Sequence, residues 1–255
     1  MVRIILSGCG GAMGQVVSRR ARELGSCAIV AGIDPDTTVK ADYPVFPSAS
    51  ACSVEADVIV DFSHPSALGE LLMLSRRLGI PLVLATTGLD EGQIASVREA
   101  ARAVPIFFSF NMSLGVNLMS ALAKAATRVL GGQFDIEIIE KHHNKKIDAP
   151  SGTAIMLAQA VSEELDAQPE YVYERHSKRQ KRGKNEIGMH AVRGGSIVGE
   201  HELLFAGQDE TLRIVHTAYS KEVFATGALR AAHFIPGKPP GLYDMNDLIA
   251  DTQQL

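Results

Sequence analysis

A strand, a glycine-rich turn and a helix at the start of the chain constrain its fold more than any other segment. Residues 2–6 are apolar, as in a buried parallel strand; residues 7–14 contain four glycines, and a helical pattern then continues to about Leu24. A dinucleotide-binding βαβ unit requires this order, because the glycines let the backbone approach a pyrophosphate at the helix N-terminus. The strict G-x-G-x-x-G pattern is not met, since Met13 takes its last position. The spacing is G-x-x-G-x-x-G through Gly8, Gly11 and Gly14, and a purely structural turn is the alternative.

An acidic residue after the second strand favours the nucleotide interpretation. Residues 27–33 read as a strand that ends at Asp34, 20 residues after Gly14, where a carboxylate would bind the adenosine ribose hydroxyls. A carboxylate there suits the ribose diol of NADH and repels the 2′-phosphate of NADPH, and Pro35 adds no cation. Lys40 is the nearby residue that could offset this repulsion. We therefore expect NADH or NADPH as cofactor, with a preference for NADH.

The alternation of strands and helices continues to about residue 110. Strand-like runs at residues 57–62, 80–85 and 104–110 are separated by helical patterns at 66–78 and 90–103. This order predicts an α/β fold with a Rossmann-like, doubly wound parallel sheet. Ligands bind such sheets beyond the carboxyl ends of the strands, and these positions are occupied by Phe62, Thr86, Thr87, Ser109 and Asn111. Taken singly, each of these residues is also of a type that is common in ordinary loops.

A second domain is predicted beyond an apolar helix at residues 114–130. The strand-like runs after it have few helices between them, which indicates an antiparallel or mixed sheet and an α+β domain; they fall at residues 134–139, 171–174, 186–192, 196–205 and 211–218. A helix at 223–234 and a closing segment at 241–245 return to the first domain. The predicted domains are therefore residues 1–113 plus 223–255 for dinucleotide binding, and 114–222 for substrate binding and oligomerisation.

The loop from Glu140 to Thr153 concentrates more chemistry than a connection needs. Gly152 and Thr153 are expected to open a helix, where backbone N–H groups of the first turn would lack an intrahelical partner, which favours a bound carboxylate or phosphate. Lys145 and Lys146 add positive charge, so a small dicarboxylate is the expected ligand. Arg193, before two glycines, is another candidate anion contact.

Two neighbouring imidazoles, His142 and His143, lie in the same loop. Histidine titrates nearest to neutral pH, so one of them could donate a proton in a reaction. Neighbours in extended backbone point to opposite faces, so only one is expected to face the substrate. The alternative is a solvated loop followed by a helix cap, with no catalytic or binding role. A metal site is disfavoured, because no third His or Cys lies at ligand spacing and lysines repel cations.

Composition limits the remaining classes. The chain has 255 residues, of which 46% are hydrophobic and 21% charged, and its net charge of −4 gives no global attraction to nucleic acid. The basic run at 175–184 lacks the aromatic residues that stack on bases, and a solvated loop is preferred there. No apolar stretch could span a membrane, and no signal peptide precedes the first strand. Three cysteines without CxxC spacing suit a reducing compartment, so we expect a cytoplasmic protein. Cys9, near a helix N-terminus, is expected to be acidic and oxidisable.

The motifs together resemble the dihydrodipicolinate reductase (4-hydroxy-tetrahydrodipicolinate reductase) family over essentially the whole chain. The most specific is Glu140-x-His142-His143-x-x-Lys146-x-Asp148-Ala149-Pro150-Ser151-Gly152-Thr153-Ala154. The others are the glycine turn, Asp61-Phe62-Ser63, Thr86-Thr87-Gly88, Asn111-x-Ser113-x-Gly115-Val116-Asn117, Val198-Gly199-Glu200-His201 and Gly241-Leu242-Tyr243-Asp244-Met245.

The resemblance implies a nicotinamide-dependent reduction in the diaminopimelate route of lysine synthesis. Hydride would go to C4 of a cyclic, unsaturated dicarboxylate imine, and His142, assisted by Lys146, would protonate C3 of the resulting enamine. His143, Gly152 and Thr153 would bind the substrate. The implied cofactor contacts are Gly8, Cys9, Gly10, Gly11, Ala12, Met13, Asp34, Ala85, Thr86, Thr87, Ser109, Phe110, Asn111 and Met112. The family also implies a homotetramer built through the second domain's sheet. Another two-domain dehydrogenase of amino-acid metabolism and a non-catalytic NAD sensor are the rival classes.

Overall fold

A computed structural model describes residues 1–252 and divides the chain into two compact units. The first unit is Met1–Leu114 together with the chain from Lys221 onward, and the second unit is Gly115–Ser220. Among the described residues, no helix has the length and apolar character needed to cross a membrane.

The first unit is built on a seven-stranded sheet in which every neighbouring pair is parallel. Its order is β12-β6-β5-β4-β1-β2-β3. The strands are β1 Val2–Ser7, β2 Cys27–Ile33, β3 Val45–Phe46, β4 Val58–Asp61, β5 Leu82–Leu84, β6 Pro105–Phe108 and β12 Gly241–Tyr243. The predicted parallel α/β sheet is confirmed, and so is the return of the closing segment, because β12 pairs with β6.

Helices cover both faces of this sheet, which explains why its strands read as continuous apolar runs. Along β1, Ile4 and Leu6 enter one core while Ile5 enters the other, since successive side chains of a strand point to opposite faces. The helices are α1 Ala12–Leu24, α2 Leu68–Leu78, α3 Glu91–Ala100, α6 Glu222–Phe234 and α7 Met245–Thr252, with a 3-10 turn at Pro65–Ala67. The doubly wound fold class is therefore confirmed.

The second unit is a mixed five-stranded sheet with helices on one face. It contains α4 Leu114–Leu130, β7 Asp135–His142, α5 Gly152–Ser162, β8 Glu170–Val172, β9 Glu186–Arg193, β10 Gly199–Ala206 and β11 Thr211–Ala218. In the order β11-β10-β7-β9-β8, the first two pairs are antiparallel and the last two parallel. Ile138 and Leu203 pack in one core with Met119 of α4 and Leu157 of α5. The prediction of a second α+β domain is confirmed.

Some element bounds agree with the sequence prediction and others differ from it. Helix α5 begins at Gly152, as predicted, because the Ser151 side chain caps it. The strand predicted at 196–205 begins only at Gly199. Strand β3 and helix α7 were not predicted, because they contain only two and eight residues and so give little periodic signal.

Candidate active site

The glycine turn of the first unit is a close contact between strand β1 and helix α1. Gly8 has a φ of 73°, a conformation that favours glycine. A Cβ added at Gly14 would lie 2.1 Å from the carbonyl oxygen of Gly8, so a side chain there would push the helix away from the turn. The backbone N–H of Gly10 donates to Asp34 Oδ2 at 2.9 Å. The carboxylate predicted to bind ribose thus lies against the turn predicted to bind pyrophosphate.

Two cavities lie along the carboxyl ends of the strands in the first unit. One has a volume of about 370 Å³ and is lined by Gly8, Gly11 and Asp34 among the predicted cofactor residues. The other has a volume of about 350 Å³ and is lined by Met13, Ala85, Thr86, Thr87, Phe110, Asn111 and Met112. Both are also lined by Phe62 and Ser63. The structure therefore brings ten of the predicted cofactor residues to two adjoining cavities, whereas Cys9, Gly10, Ala12 and Ser109 line neither.

The buried carboxylate of Asp61 directly precedes Phe62 and Ser63, the two residues that line both cavities. Asp61 is buried at the end of β4 and accepts hydrogen bonds from the Ser63 backbone N–H at 3.0 Å and from the Thr86 hydroxyl. Burial raises the pKa of Asp61, and these hydrogen bonds oppose the rise. The side chain of Thr86 therefore ties the ends of two strands together.

The expected acidity of Cys9 is wrong. Its side chain is fully buried, beneath the turn and against Gly32. Burial raises the pKa of Cys9 to about 11, and the nearby Asp34 carboxylate adds to the rise. Position near a helix N-terminus lowers a thiol pKa only where the thiolate is also accessible to solvent or to a cation. Cys9 is therefore a packing residue by its side chain.

In the second unit, His142 lies at the end of β7 in a buried cluster of charged side chains. Its Nδ1 is 2.5 Å from Glu140 Oε2, and Glu140 is 0% exposed. The Arg193 guanidinium donates to both oxygens of Glu140, at 2.7 Å each. Arg193 was expected to bind an external anion; instead its guanidinium pairs with a carboxylate of its own chain. Sequence analysis named Glu140 as the first residue of the most specific motif but gave it no role, although its i, i+2 spacing from His142 places both on one face of the strand.

The N-terminus of helix α5 adjoins this cluster. The Ser151 hydroxyl accepts from the Ala154 N–H at 3.2 Å and lies 3.0 Å from His201 Nε2, while the Ser151 N–H donates to Glu140 Oε1 at 3.1 Å. Gly152 is exposed, and no atom lies within 4 Å of where its Cβ would be. The first helical position is thus open on its outer side, as an anion site at a helix N-terminus requires.

The remaining predicted residues of the loop have different environments. Lys146 lies 2.8 Å from Asp148 Oδ1, and its hydrogen bond holds the pKa of Asp148 below its usual value. Lys145 is exposed. His143 is half-buried, and its Nδ1 is a buried nitrogen with no hydrogen-bond partner within residues 1–252. An unsatisfied buried nitrogen costs free energy unless a ligand or water pairs with it.

His201 is a further candidate residue of the site, which sequence analysis named only as part of the motif Val198-Gly199-Glu200-His201. It is buried, its ring lies 5.1 Å from the His142 ring in an edge-to-face arrangement, and burial lowers its pKa to about 4, with the charge of His142 adding to the effect. His201 is therefore neutral at physiological pH and serves as a partner for the helix cap.

Part of the basic run at 175–184 is folded back on the sheet. Arg182 and Arg175 pair with Glu137, which accepts from Arg182 Nε at 3.1 Å. The prediction of a solvated loop is therefore wrong for these two arginines, because their charges are neutralised by a carboxylate of the sheet.

Comparison with known proteins identifies the family. The model of the dihydrodipicolinate reductase N-terminus matches residues 2–112, and that of its C-terminus matches residues 115–249. The chain is 51% identical over 249 residues to the 4-hydroxy-tetrahydrodipicolinate reductase of Caldanaerobacter subterraneus subsp. tengcongensis, with 98% of each chain covered. It is 47% identical to the enzyme of the same name from Clostridium tetani, covering 98% of this chain and 97% of the relative.

A solved structure supports the same fold. The dipicolinate-bound dihydrodipicolinate reductase from Paenisporosarcina sp. TG-14 superposes with a TM-score of 0.81 at 24% identity, covering 96% of this chain and 99% of that one. At that identity the superposition shows the fold alone, whereas the sequence comparisons show the family. The chain belongs to the dihydrodipicolinate reductase family.

Proposed function

We propose that this chain catalyses the reduction of 4-hydroxy-tetrahydrodipicolinate to tetrahydrodipicolinate with NADH or NADPH, in the diaminopimelate route of lysine biosynthesis. The relatives from Caldanaerobacter and Clostridium carry the name of this activity. The observation that carries the proposal is the His142 imidazole held on a buried carboxylate beside an open helix N-terminus. A proton donor next to an anion site is the arrangement that reduction of a cyclic dicarboxylate needs.

The first unit fits a pyridine nucleotide. Helix α1 begins at Ala12, so its positive end faces the turn. The cavity beside Gly8 and Gly11 offers backbone to a pyrophosphate, and Asp34 offers a carboxylate to ribose. Residues 1–113 and 223–255 are thus assigned to dinucleotide binding. A reduced nicotinamide bound there would supply the hydride.

The proposed preference for NADH rests on what surrounds Asp34. Its Oδ1 accepts from the Asp36 N–H at 3.0 Å, and its Oδ2 from Gly10. These two bonds leave acceptor sites on the carboxylate for ribose hydroxyls. Lys40 lines a different cavity, beside Arg22 and Tyr43. Lys40 therefore does not place its positive charge where a 2′-phosphate would bind, which supports NADH over NADPH.

The second unit, within residues 114–222, is assigned to substrate binding. Gly152 and Thr153, at the start of α5, take one carboxylate, and His143, with its unsatisfied Nδ1, takes the other. Dipicolinate, the ligand of the Paenisporosarcina protein, is likewise a dicarboxylate. Lys146 supplies positive charge at the ring nitrogen.

His142 supplies the proton that completes the reduction. Its Nδ1 is occupied by Glu140, so Nε2 is the nitrogen that can transfer a proton. The 4-hydroxyl first leaves as water with a hydrogen of the adjacent ring carbon, which gives a conjugated cyclic imine. A bound reduced nicotinamide would then supply hydride to C4 of this imine, and C3 of the resulting enamine takes the proton of His142. Lys146 stabilises the charge that develops on the ring nitrogen in this step.

A homotetramer is proposed through the open face of the second unit's sheet. Val192 of β9 and Val215 of β11 point away from the core and are 45% and 50% exposed. Apolar side chains on an open sheet face favour burial against another copy. Sedimentation equilibrium tests this, and a monomer at all concentrations would contradict it.

The proposed cytoplasmic location is supported by the three cysteines, none of which forms a disulfide bond.

A coupled assay tests the function. The substrate is made enzymatically in the cuvette, and NADH or NADPH absorbance at 340 nm is followed after the chain is added. We expect oxidation that depends on both substrate and chain, with a lower KM for NADH. No oxidation with freshly made substrate, under conditions where the Clostridium tetani relative turns over, would refute the proposal.

A further inference from the structure

We propose that Glu140, clamped by Arg193, is the positioning residue that fixes the orientation and tautomer of His142 and couples it to the substrate end of helix α5. This inference deepens the proposed function and rests on it. Glu140 is assigned no contact with substrate or cofactor, because its side chain is completely buried.

The four acceptor positions of the Glu140 carboxylate are all used. Oε2 accepts from His142 Nδ1 at 2.5 Å and from Arg193 at 2.7 Å, while Oε1 accepts from Arg193 at 2.7 Å and from the Ser151 N–H at 3.1 Å. A carboxylate that accepts from four donors has one allowed orientation. Glu140 is therefore a rigid anchor and not a mobile surface charge.

The charge on this anchor is maintained by its partners. Burial alone raises the pKa of Glu140, but the hydrogen bonds from Arg193 and His142 outweigh it and hold the pKa below its usual value. An ionised carboxylate only accepts, so the nitrogen of His142 that faces it must carry hydrogen. The tautomer of neutral His142 is thereby set to Nδ1–H, and Nε2 is left for the reaction.

The surroundings of Nε2 agree with this assignment. Within residues 1–252 the Nε2 of His142 forms no hydrogen bond, and its side chain keeps 11% exposure. It faces Gly199, where an added Cβ would lie only 3.1 Å away. The absence of a side chain at this position keeps the reactive nitrogen uncrowded.

Glu140 also connects the proton donor to the anion site. The Ser151 N–H that it accepts belongs to the residue that caps α5, immediately before Gly152. The charged or titratable groups packed around His142 are Glu140 on its own strand, Arg193 on β9 and His201 on β10. Of these, Glu140 is the one that bonds to both His142 and the helix start.

The same strand supplies a matched control. Glu137 of β7 also joins an arginine and a histidine, with Arg182 Nε at 3.1 Å and His190 Nε2 at 2.8 Å. It lies on the opposite face of the strand from Glu140, because the two are an odd number of residues apart. Replacing Glu137 removes an equivalent ionic cluster without touching His142.

The experiment compares E140Q with E137Q in the full chain, measuring kcat, KM for NADH and for substrate, and the pH dependence of kcat. We expect E140Q to lose kcat by a factor on the order of 10², in the range of a displaced or wrongly tautomerised imidazole. KM for NADH should stay unchanged. The pH dependence of kcat should differ from that of wild type, because the buried negative charge beside the reacting imidazole is removed. E137Q should match wild type in both measurements when the two are compared at the same oligomeric state, since Glu137 lies on the open face of the sheet.

The outcomes separate this inference from the proposed function. If the wild-type chain shows no turnover, the proposed function is refuted. If the wild type is active and E140Q has the same kcat and pH profile, only the positioning role of Glu140 is refuted. If E140Q does not fold, R193K decides, because it keeps the positive charge but loses the two-pronged contact. R193K with wild-type kcat and pH profile would overturn the inference as well.

Discussion

Replacing His142 with glutamine tests the proton donor with little disturbance of the fold. The amide of glutamine can donate to Glu140 as Nδ1 does now, at 2.5 Å, so the buried carboxylate keeps a partner. We therefore expect the free energy of unfolding to change by only about 1 kcal/mol. The amide cannot donate a proton to carbon. A positioned proton donor contributes roughly 10² to 10⁴ in rate, or about 3 to 5 kcal/mol of transition-state stabilisation.

The assay is steady-state oxidation of NADH with enzymatically made substrate, together with NADH binding by direct fluorescence. The chain has no tryptophan, so nicotinamide fluorescence is read without indole emission. H142Q should lose kcat by the factor given and bind NADH as wild type does. H190Q is the matched control, since His190 bonds to Glu137 on the outer face and is 41% exposed; its kcat should stay within about twofold. Undiminished turnover of H142Q would remove His142 from the chemistry.

Four further predictions follow from the structure. G14A should lower the thermal midpoint sharply, because its Cβ would lie 2.1 Å from a carbonyl oxygen of the turn. G69A, in a helix with open space around it, should leave the midpoint unchanged or raise it, and equal stability of the two variants would contradict the reasoning. D34S should raise KM for NADH and bring it closer to that for NADPH, and an unchanged KM ratio would exclude Asp34 from ribose binding. His201, neutral in the fold with a pKa of about 4, stabilises it fully above the unfolded pKa of 6.5; this contribution is lost as pH falls toward 4. H201N should therefore show a weaker loss of midpoint in this window than wild type, and an identical pH dependence would refute it. Cys9, with a pKa of about 11, should resist a thiol reagent at pH 8 until the chain unfolds, and its stabilisation should fade as pH rises from 9 to 11; rapid labelling of the native protein would show that the thiol is accessible.

The first unit was predictable because its signals are local and periodic. The strand, turn and helix around Gly8 follow from apolar runs and glycines, and the parallel order follows from the strand–helix alternation. The burial of Cys9 was not predictable, because it depends on β2 packing across the turn through Gly32. A position near a helix N-terminus reports the local dipole but not the packing from distant residues.

In the second unit the sequence identified the loop but not what holds it. The types of His142, Lys146 and Gly152 point to acid–base and anion chemistry from neighbouring positions alone. The clamp between Glu140 and Arg193 joins residues 53 positions apart, and only the register of β7 against β9 brings them together. An arginine beside two glycines reads as an open anion contact until its partner strand is known.

Isotope transfer tests the central claim most directly. NADH dideuterated at C4 is oxidised with substrate in ordinary water, unlabelled NADH is oxidised in deuterated water, and the products are analysed by mass spectrometry and NMR. The account predicts one deuterium from the cofactor at C4 in the first reaction, and one from solvent at C3 in the second, with both rates lowered by H142Q. A product without cofactor deuterium, or with solvent deuterium at C4, would contradict it.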